Sequence, residues 1–221
     1  MSNSPLVVAL IIALLDWLAV AKKWKQIEYF AKPGVMILLL AWLWNISGFK
    51  GNLTWFAIGL VFSMLGDVFL MLPRERFIGG LVSFLIAHIA YTIGFTETAP
   101  PLSVISLILT IVIGFMSIRI YRGVSRGLVA SDNSRLLIPV QIYTIIISIM
   151  LLSALLTLVR PDWFVTSSLT VSVGAALFYL SDAFLAWNKF VQPIRRGNLI
   201  VIISYHLGQI MIVVGAVTHY L

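Results

Sequence analysis

The sequence predicts an all-α membrane protein: a bundle of eight transmembrane helices that forms a single domain over residues 1–221. Three observations lead there. Of the 221 residues, 61 % are hydrophobic and 10 % charged, with a mean hydropathy of +1.05. A soluble domain carries about 25 % charged residues, so this chain lacks the polar groups to cover its own surface in water. The apolar residues also come in continuous runs of helix length, about 20 residues per bilayer crossing, without the alternation of a membrane β-strand. Finally, the breaks between runs carry the basic charge and the Pro and Gly clusters. There is no cysteine, which excludes disulfides, thiol catalysis and cysteine-ligated metal.

The expected spans are 4–20, 33–49, 53–72, 77–96, 100–121, 136–159, 163–187 and 199–220. The first contains Ala19-Val20-Ala21, which has the form of a signal-peptide cleavage site. However, no Lys or Arg precedes its apolar run, Asp16 interrupts it, and Lys22, Lys23 and Lys25 follow it, so a retained helix is expected. The second span opens at Lys32-Pro33, and the third and fourth are parted by the Pro73 to Arg76 cluster. The fifth begins at Pro100-Pro101. Before the sixth lies the longest connection, about 122–135, which is basic, bears Gly, Ser and Asn, and is expected as a solvated loop. Arg160-Pro161-Asp162 precedes the seventh span, and Arg195-Arg196-Gly197 the eighth.

The positive charges sort by side. Connections after spans one, three, five and seven hold Lys22, Lys23, Lys25 and Lys32; Arg74 and Arg76; Arg119, Arg122, Arg126 and Arg135; and Lys189, Arg195 and Arg196, whereas the other side holds Lys50 and Arg160. By the positive-inside rule the first set faces the cytoplasm and both termini face outward, as in a bacterial inner membrane. The net charge of +7 is then an orientation signal with a secondary use at anionic headgroups. It calls for no nucleic-acid partner, and no obligate protein partner is inferred. An internal echo, Leu65-Gly66-Asp67-Val68-Phe69-Leu70 against Leu180-Ser181-Asp182-Ala183-Phe184-Leu185, would fit two parallel four-helix halves.

Ionisable groups inside a membrane helix are costly and usually face a cavity or a partner. At 1.5 Å per residue, Asp67 and Asp182 each lie ~8 Å inside the cytoplasmic boundary, Asp16 ~6 Å, His206 ~10 Å and His88 ~16 Å. Equal depth favours a shared site for Asp67 and Asp182; the structural alternative is a carboxyl bonded to a neighbouring helix or paired with Lys32 or an arginine. Asp16 is expected to face headgroups or to pair with Lys22 or Lys23. His88 and His206 either bond across helices as neutral imidazoles or serve a site. His88, Tyr91 and Thr92 share one helix face, as do His206 and Gln209 with Tyr205 adjacent. Gln141, Thr144 and Ser148 form a stripe suited to helix-to-helix hydrogen bonds, and Trp17, Trp24, Trp55 and Trp187 are expected as interface anchors. His219 is ~20 Å along the helix from His206, so the two cannot share a metal ion. Two carboxylates in a low-dielectric pocket can hold opposite protonation states and act as acid and base.

Several of these residues occur together, in order: Lys32-Pro33; Gly66-Asp67-Val68-Phe69-Leu70-Met71; Phe77, Gly80, Phe84, His88 and Tyr91; Leu180-Ser181-Asp182-Ala183-Phe184-Leu185-Ala186 with Phe190; and Tyr205 with Gln209. From about residue 29 to 215 this resembles the YhhN-like lysoplasmalogenase family. The resemblance implies hydrolysis of the vinyl ether bond of lysoplasmalogen to a fatty aldehyde and glycerophospho-ethanolamine or glycerophospho-choline. It implies Asp67 and Asp182 as the catalytic pair, with no metal or cofactor. His88, Tyr91, Tyr205, His206 and Gln209 would orient water and substrate oxygens, and Lys32, Arg74, Arg76 and Lys189 are candidates for the phosphate. One aspartate would protonate the vinyl carbon while the other stabilises the cation and activates water, as the carboxylates of glycosidases do; the sequence does not assign the roles. Two other readings stand beside it. A proton-coupled transporter or lipid translocator would need polar groups through both leaflets. An intramembrane aspartyl protease would carry Gly-x-Gly-Asp, where this chain has Met64-Leu65-Gly66-Asp67.

Overall fold

The computed structural model describes residues 3–72, 76–99 and 102–221. Among these residues are eight long helices: α1 (Ser4–Lys22), α2 (Lys25–Ser47), α3 (Leu53–Met71), α4 (Phe77–Phe95), α5 (Val104–Ala130), α6 (Leu137–Leu156), α7 (Val165–Phe190) and α8 (Gly197–Tyr220). Short 3-10 turns, Ser134–Leu136 and Thr157–Val159, flank α6. All eight are long and apolar enough to cross a bilayer, so the protein is an integral, multi-pass membrane protein. Its exterior is apolar, with Phe30, Ile11, Leu14, Ile108, Phe115 and Ile138 among the exposed side chains; lipid, rather than water, suits such a surface.

Neighbouring helices pack as hairpins, α7 against α8 most extensively, then α3 against α4 and α1 against α2. The backbones of α7 and α8 come close together. A Cβ on Gly174 would lie 2.7 Å from the Ile212 nitrogen and 2.9 Å from the Gly208 carbonyl oxygen, so only glycine lets the two backbones meet. Helix α8 is the most buried of these helices and α5 the least, which places α8 at the centre of the bundle and α5 at its rim. Helix α8 also touches α1, α2 and α3, while α4 reaches across to α6.

Two elements depart from the sequence expectation. Helix α2 begins at Lys25, eight residues before the expected start, and carries Pro33 in its interior. The lost N–H and crowded carbonyl of a proline are tolerated near the polar end of a membrane helix, where water reaches the freed group. The second departure concerns the expected loop at 122–135, which is helical to Ala130. Val124 and Leu128, one turn apart, are buried against Leu136, Val140 and Phe190, and this packing outweighs the helix-weakening Gly and Ser content. The basic residues Arg122 and Arg126 therefore project from a helix end. At the opposite end of the bundle Arg160 is buried and donates to the Phe95 carbonyl at 3.0 Å, satisfying an orphan acceptor at the end of α4.

Candidate active site

Asp67 stands one turn before the end of α3. Its carboxylate takes the Lys32 ammonium at 2.9 Å and the Tyr205 hydroxyl, which donates at 2.7 Å. The pair is desolvated: the side chains of Asp67 and Lys32 are 1 % and 15 % exposed. Lys32 can reach Asp67 because α2 starts early and places it inside the helix; at the head of a loop it would point to the interface. Gly66 has a packing role, since a Cβ there would lie 2.6 Å from the ring of Phe84.

Asp182 sits on α7 and accepts the hydroxyl of Tyr143 from α6. The His88 Nε2 atom lies 3.2 Å from the same carboxylate oxygen and 2.9 Å from the Tyr143 hydroxyl. An aromatic wall joins the two clusters. The Phe178 ring centroid is 4.7 Å from that of His88 and 5.4 Å from that of Tyr205, and Phe84 packs edge-on to Tyr205. His88 and Tyr205 are thus held by rings that leave them few rotamers.

Asp67 and Asp182 open on one cavity of about 340 Å³. Lys32, Tyr205, Asn188, Asn198 and Lys189 share its wall, and the Lys25–Glu28 ion pair (3.3 Å) stands at its margin. On its other side Asp182 borders a narrow apolar slot of about 70 Å³ between α3, α4, α5, α6 and α7. The cavity and the slot share Leu70, Phe77, Phe84, Asp182 and Leu185. Asp182 therefore touches both compartments, and Asp67 only the polar one.

The other candidates divide. Tyr91 and Gln209 meet each other deeper in the bundle, the Tyr91 hydroxyl donating to Gln209 Oε1 at 2.5 Å and Gln209 Nε2 donating to Ser63 at 2.9 Å. His206 turns away from the aspartate pair. Its Nδ1 accepts from the Trp17 indole N–H at 3.1 Å, and its Nε2 lies 4.0 Å from Asp16. Asp16 is accordingly fully buried and faces neither headgroups nor Lys22 and Lys23, and Trp17 is bonded inward instead of standing as an interface anchor. Lys189 lines the cavity with its ammonium over the rings of Phe77 and Phe190. Arg76 lines a separate surface depression with Arg135 and Lys189, and Arg74 lies outside the described residues. In the helix-six stripe Ser148 bonds across to Ser117 at 2.7 Å, whereas Gln141 is exposed. Among the described residues no group of three or more His, Cys, Asp or Glu side chains could hold a metal ion.

Sequence reasoning missed Tyr143, which makes the shortest contact to Asp182, along with Asn188, Asn198 and Lys25 on the cavity wall. For Tyr143 a signal existed, because it lies well inside its span, away from the ends where tyrosine serves as an anchor, next to the polar stripe of Gln141 and Thr144. The asparagines follow the expected end of span seven and carry no such mark.

The description of the YhhN family matches residues 27–216 of the chain. A mouse (Mus musculus) protein named lysoplasmalogenase TMEM86B is 26 % identical over 218 residues, covering 96 % of this chain and 85 % of its own length. Its human (Homo sapiens) counterpart of the same name is 29 % identical over 197 residues, covering 86 % and 77 %. A protein of Escherichia coli O157:H7 named uncharacterized membrane protein YhhN is 25 % identical over 216 residues, covering 91 % and 94 %. No solved structure matches the chain.

Proposed function

The chain belongs to the YhhN family, and from that premise we propose that it is a hydrolase of the vinyl ether bond of lysoplasmalogen-like lipids, with Asp182 as general acid and Asp67 as general base. The observation that carries this reading is the position of Asp182 where the polar cavity meets the apolar slot. A vinyl ether joins a polar glycerol oxygen to an apolar chain. The carbon that must be protonated is the one on the chain side, and the carbon that water attacks is the one bonded to oxygen. An acid at the junction and a base in the polar compartment match that order.

Asp182 gives its proton to the chain-side carbon, and the double bond's electrons form the new C–H bond. The oxygen-bearing carbon becomes an oxocarbenium ion, stabilised by the Asp67 carboxylate. Both partners of Asp67, the Lys32 ammonium and the Tyr205 hydroxyl, are donors, which favours its acting as the base. Water attacks the cation and passes a proton to Asp67, giving a hemiacetal. Asp182 then takes the hemiacetal hydroxyl proton while Asp67 protonates the departing glycerol oxygen. Aldehyde and glycerophospho product leave, one water has been consumed, and both carboxyls regain their first states. His88 and Tyr143 hold Asp182 in place, and Lys189, Asn188 and Asn198 are suited to the phosphate and headgroup.

Purified protein given a lysoplasmalogen should release one fatty aldehyde per glycerophospho product, measured as a hydrazone. Asp67→Asn and Asp182→Asn should each lower turnover by at least about 100-fold, the usual range for a positioned acid or base. In D2O the aldehyde should carry one deuterium on the carbon next to the carbonyl. Absence of aldehyde from the unaltered protein overturns the activity, and full turnover in both variants overturns the carboxylate mechanism.

A further inference from the structure

We propose that the apolar slot beside Asp182 seats the hydrocarbon chain of the substrate lipid, which then leaves the protein sideways into the bilayer between α5 and α6. The proposal builds on the function proposed above and concerns where the tail goes. With a volume of about 70 Å³ the slot is far smaller than the ~300 Å³ and more of ordinary ligand pockets, which suits part of one slim chain. Its walls, from Phe84, Ile120, Val140 and Ile147, are apolar. The hydroxyl of Thr144 there is already committed to the Val140 carbonyl at 2.8 Å, so an alkyl chain strands no polar group. From Val140 to Ile147 the wall runs ~10 Å along α6, away from the end of the bundle where the polar cavity opens.

Thr144 also borders a groove on the lipid face of α5 and α6, which continues along Gly114, Ser117, Ile118 and Ile145. At the inner end Ser117 bonds to Ser148 at 2.7 Å and to the Tyr179 hydroxyl at 3.0 Å, tying α5, α6 and α7 together. This clasp stops a chain from running on inside the bundle and turns it outward. Helix α5, the least buried of the described helices, forms the lipid-facing side of the proposed exit. A headgroup in the polar cavity, a vinyl ether at Asp182 and a tail in the slot lie in one continuous path.

The test is a non-hydrolysable alkyl-ether lysophospholipid with a diazirine at the end of its chain, photolysed with the full protein in nanodiscs, with labelled peptides mapped by mass spectrometry. Label on α5 and α6 around Gly114, Ile118 and Ile145 is expected; label on α1, α2 or α8 overturns the proposal. A substitution that the fold tolerates gives an independent check. A Cβ at Gly114 meets nothing within 4 Å, so Gly114→Phe fills the groove without straining the fold. It should cut labelling and raise KM for long-chain substrate by about tenfold, the equivalent of unburying two methylenes; unchanged labelling and KM overturn the exit route. The two proposals fail separately. Label on α5 and α6 without any aldehyde rejects the hydrolase and keeps the chain path, and aldehyde with label elsewhere does the reverse.

Discussion

Lys32 leaves the sequence with two roles open, phosphate candidate or partner of an intramembrane carboxyl, and the structure shows the second. As a basic residue at the head of a span it is a phosphate candidate; packed inside α2 with 15 % exposure it is the counter-charge of Asp67. Removing one partner of a buried ion pair leaves the other charge stranded. Lys32→Met should therefore destabilise the protein by about 3–5 kcal/mol, read as a fall in Tm, and adding Asp67→Asn to it should restore part of the loss. If the double variant is no more stable than Lys32→Met alone, the two side chains are not coupled. Asp16 teaches the converse. Its nearness to Lys22 and Lys23 suggested the surface, yet Ala9, Ala13, Asp16 and Ala19 form one buried stripe. Small residues at that spacing mark a face that approaches another helix closely, and this signal was present in the sequence.

At the scale of elements, the site depends on how tightly α8 lies against α7. Tyr205 reaches Asp67 from α8, and Asp182 comes from α7, so any separation of these helices pulls the two clusters apart. Gly174→Val would force a side chain into the α8 backbone and should cost about 1–3 kcal/mol of stability, together with most of the turnover. Gly34→Ala is the control: its Cβ would sit at an ordinary 3.7 Å from Ile12, so Tm and turnover should hold. Equal behaviour of the two variants would show that close α7–α8 contact is not what assembles the site. The ends of elements were the least legible part. Pro33 and the glycine-bearing stretch after residue 121 read locally as breaks, and both lie within helices because tertiary contacts, Lys32 with Asp67 and Val124 and Leu128 with Phe190, favour the helical state.

Across the whole molecule the two aspartates exchange partners in a matching way. Asp67 on α3 is met by the preceding helix through Lys32 and by α8 through Tyr205; Asp182 on α7 is met by the preceding helix through Tyr143 and by α4 through His88. Each aspartate thus draws one partner from the helix that follows the other aspartate. The chemistry of the partners differs, an ammonium and a phenol against a phenol and an imidazole, and the proposed division into base and acid rests on this difference. The orientation of the whole bundle is open to a direct check: if the basic end is cytoplasmic, an outside-only label on intact cells should reach tags on both termini, and protection of both tags would reverse it.

The sequence by itself determined the membrane class, the eight crossings and the two intramembrane aspartates, because apolar runs and buried charges are costs paid residue by residue in a bilayer and need no knowledge of neighbours. Only the tertiary structure decided that Lys32 is the partner Asp67 takes and that Tyr143 meets Asp182, that His206 and Asp16 form a separate buried pair, and that Asp182 stands between a polar cavity and an apolar slot. Those are contacts between helices far apart in the chain, set by which side of each helix small residues allow to come close. No local pattern records the rotation of one helix against another.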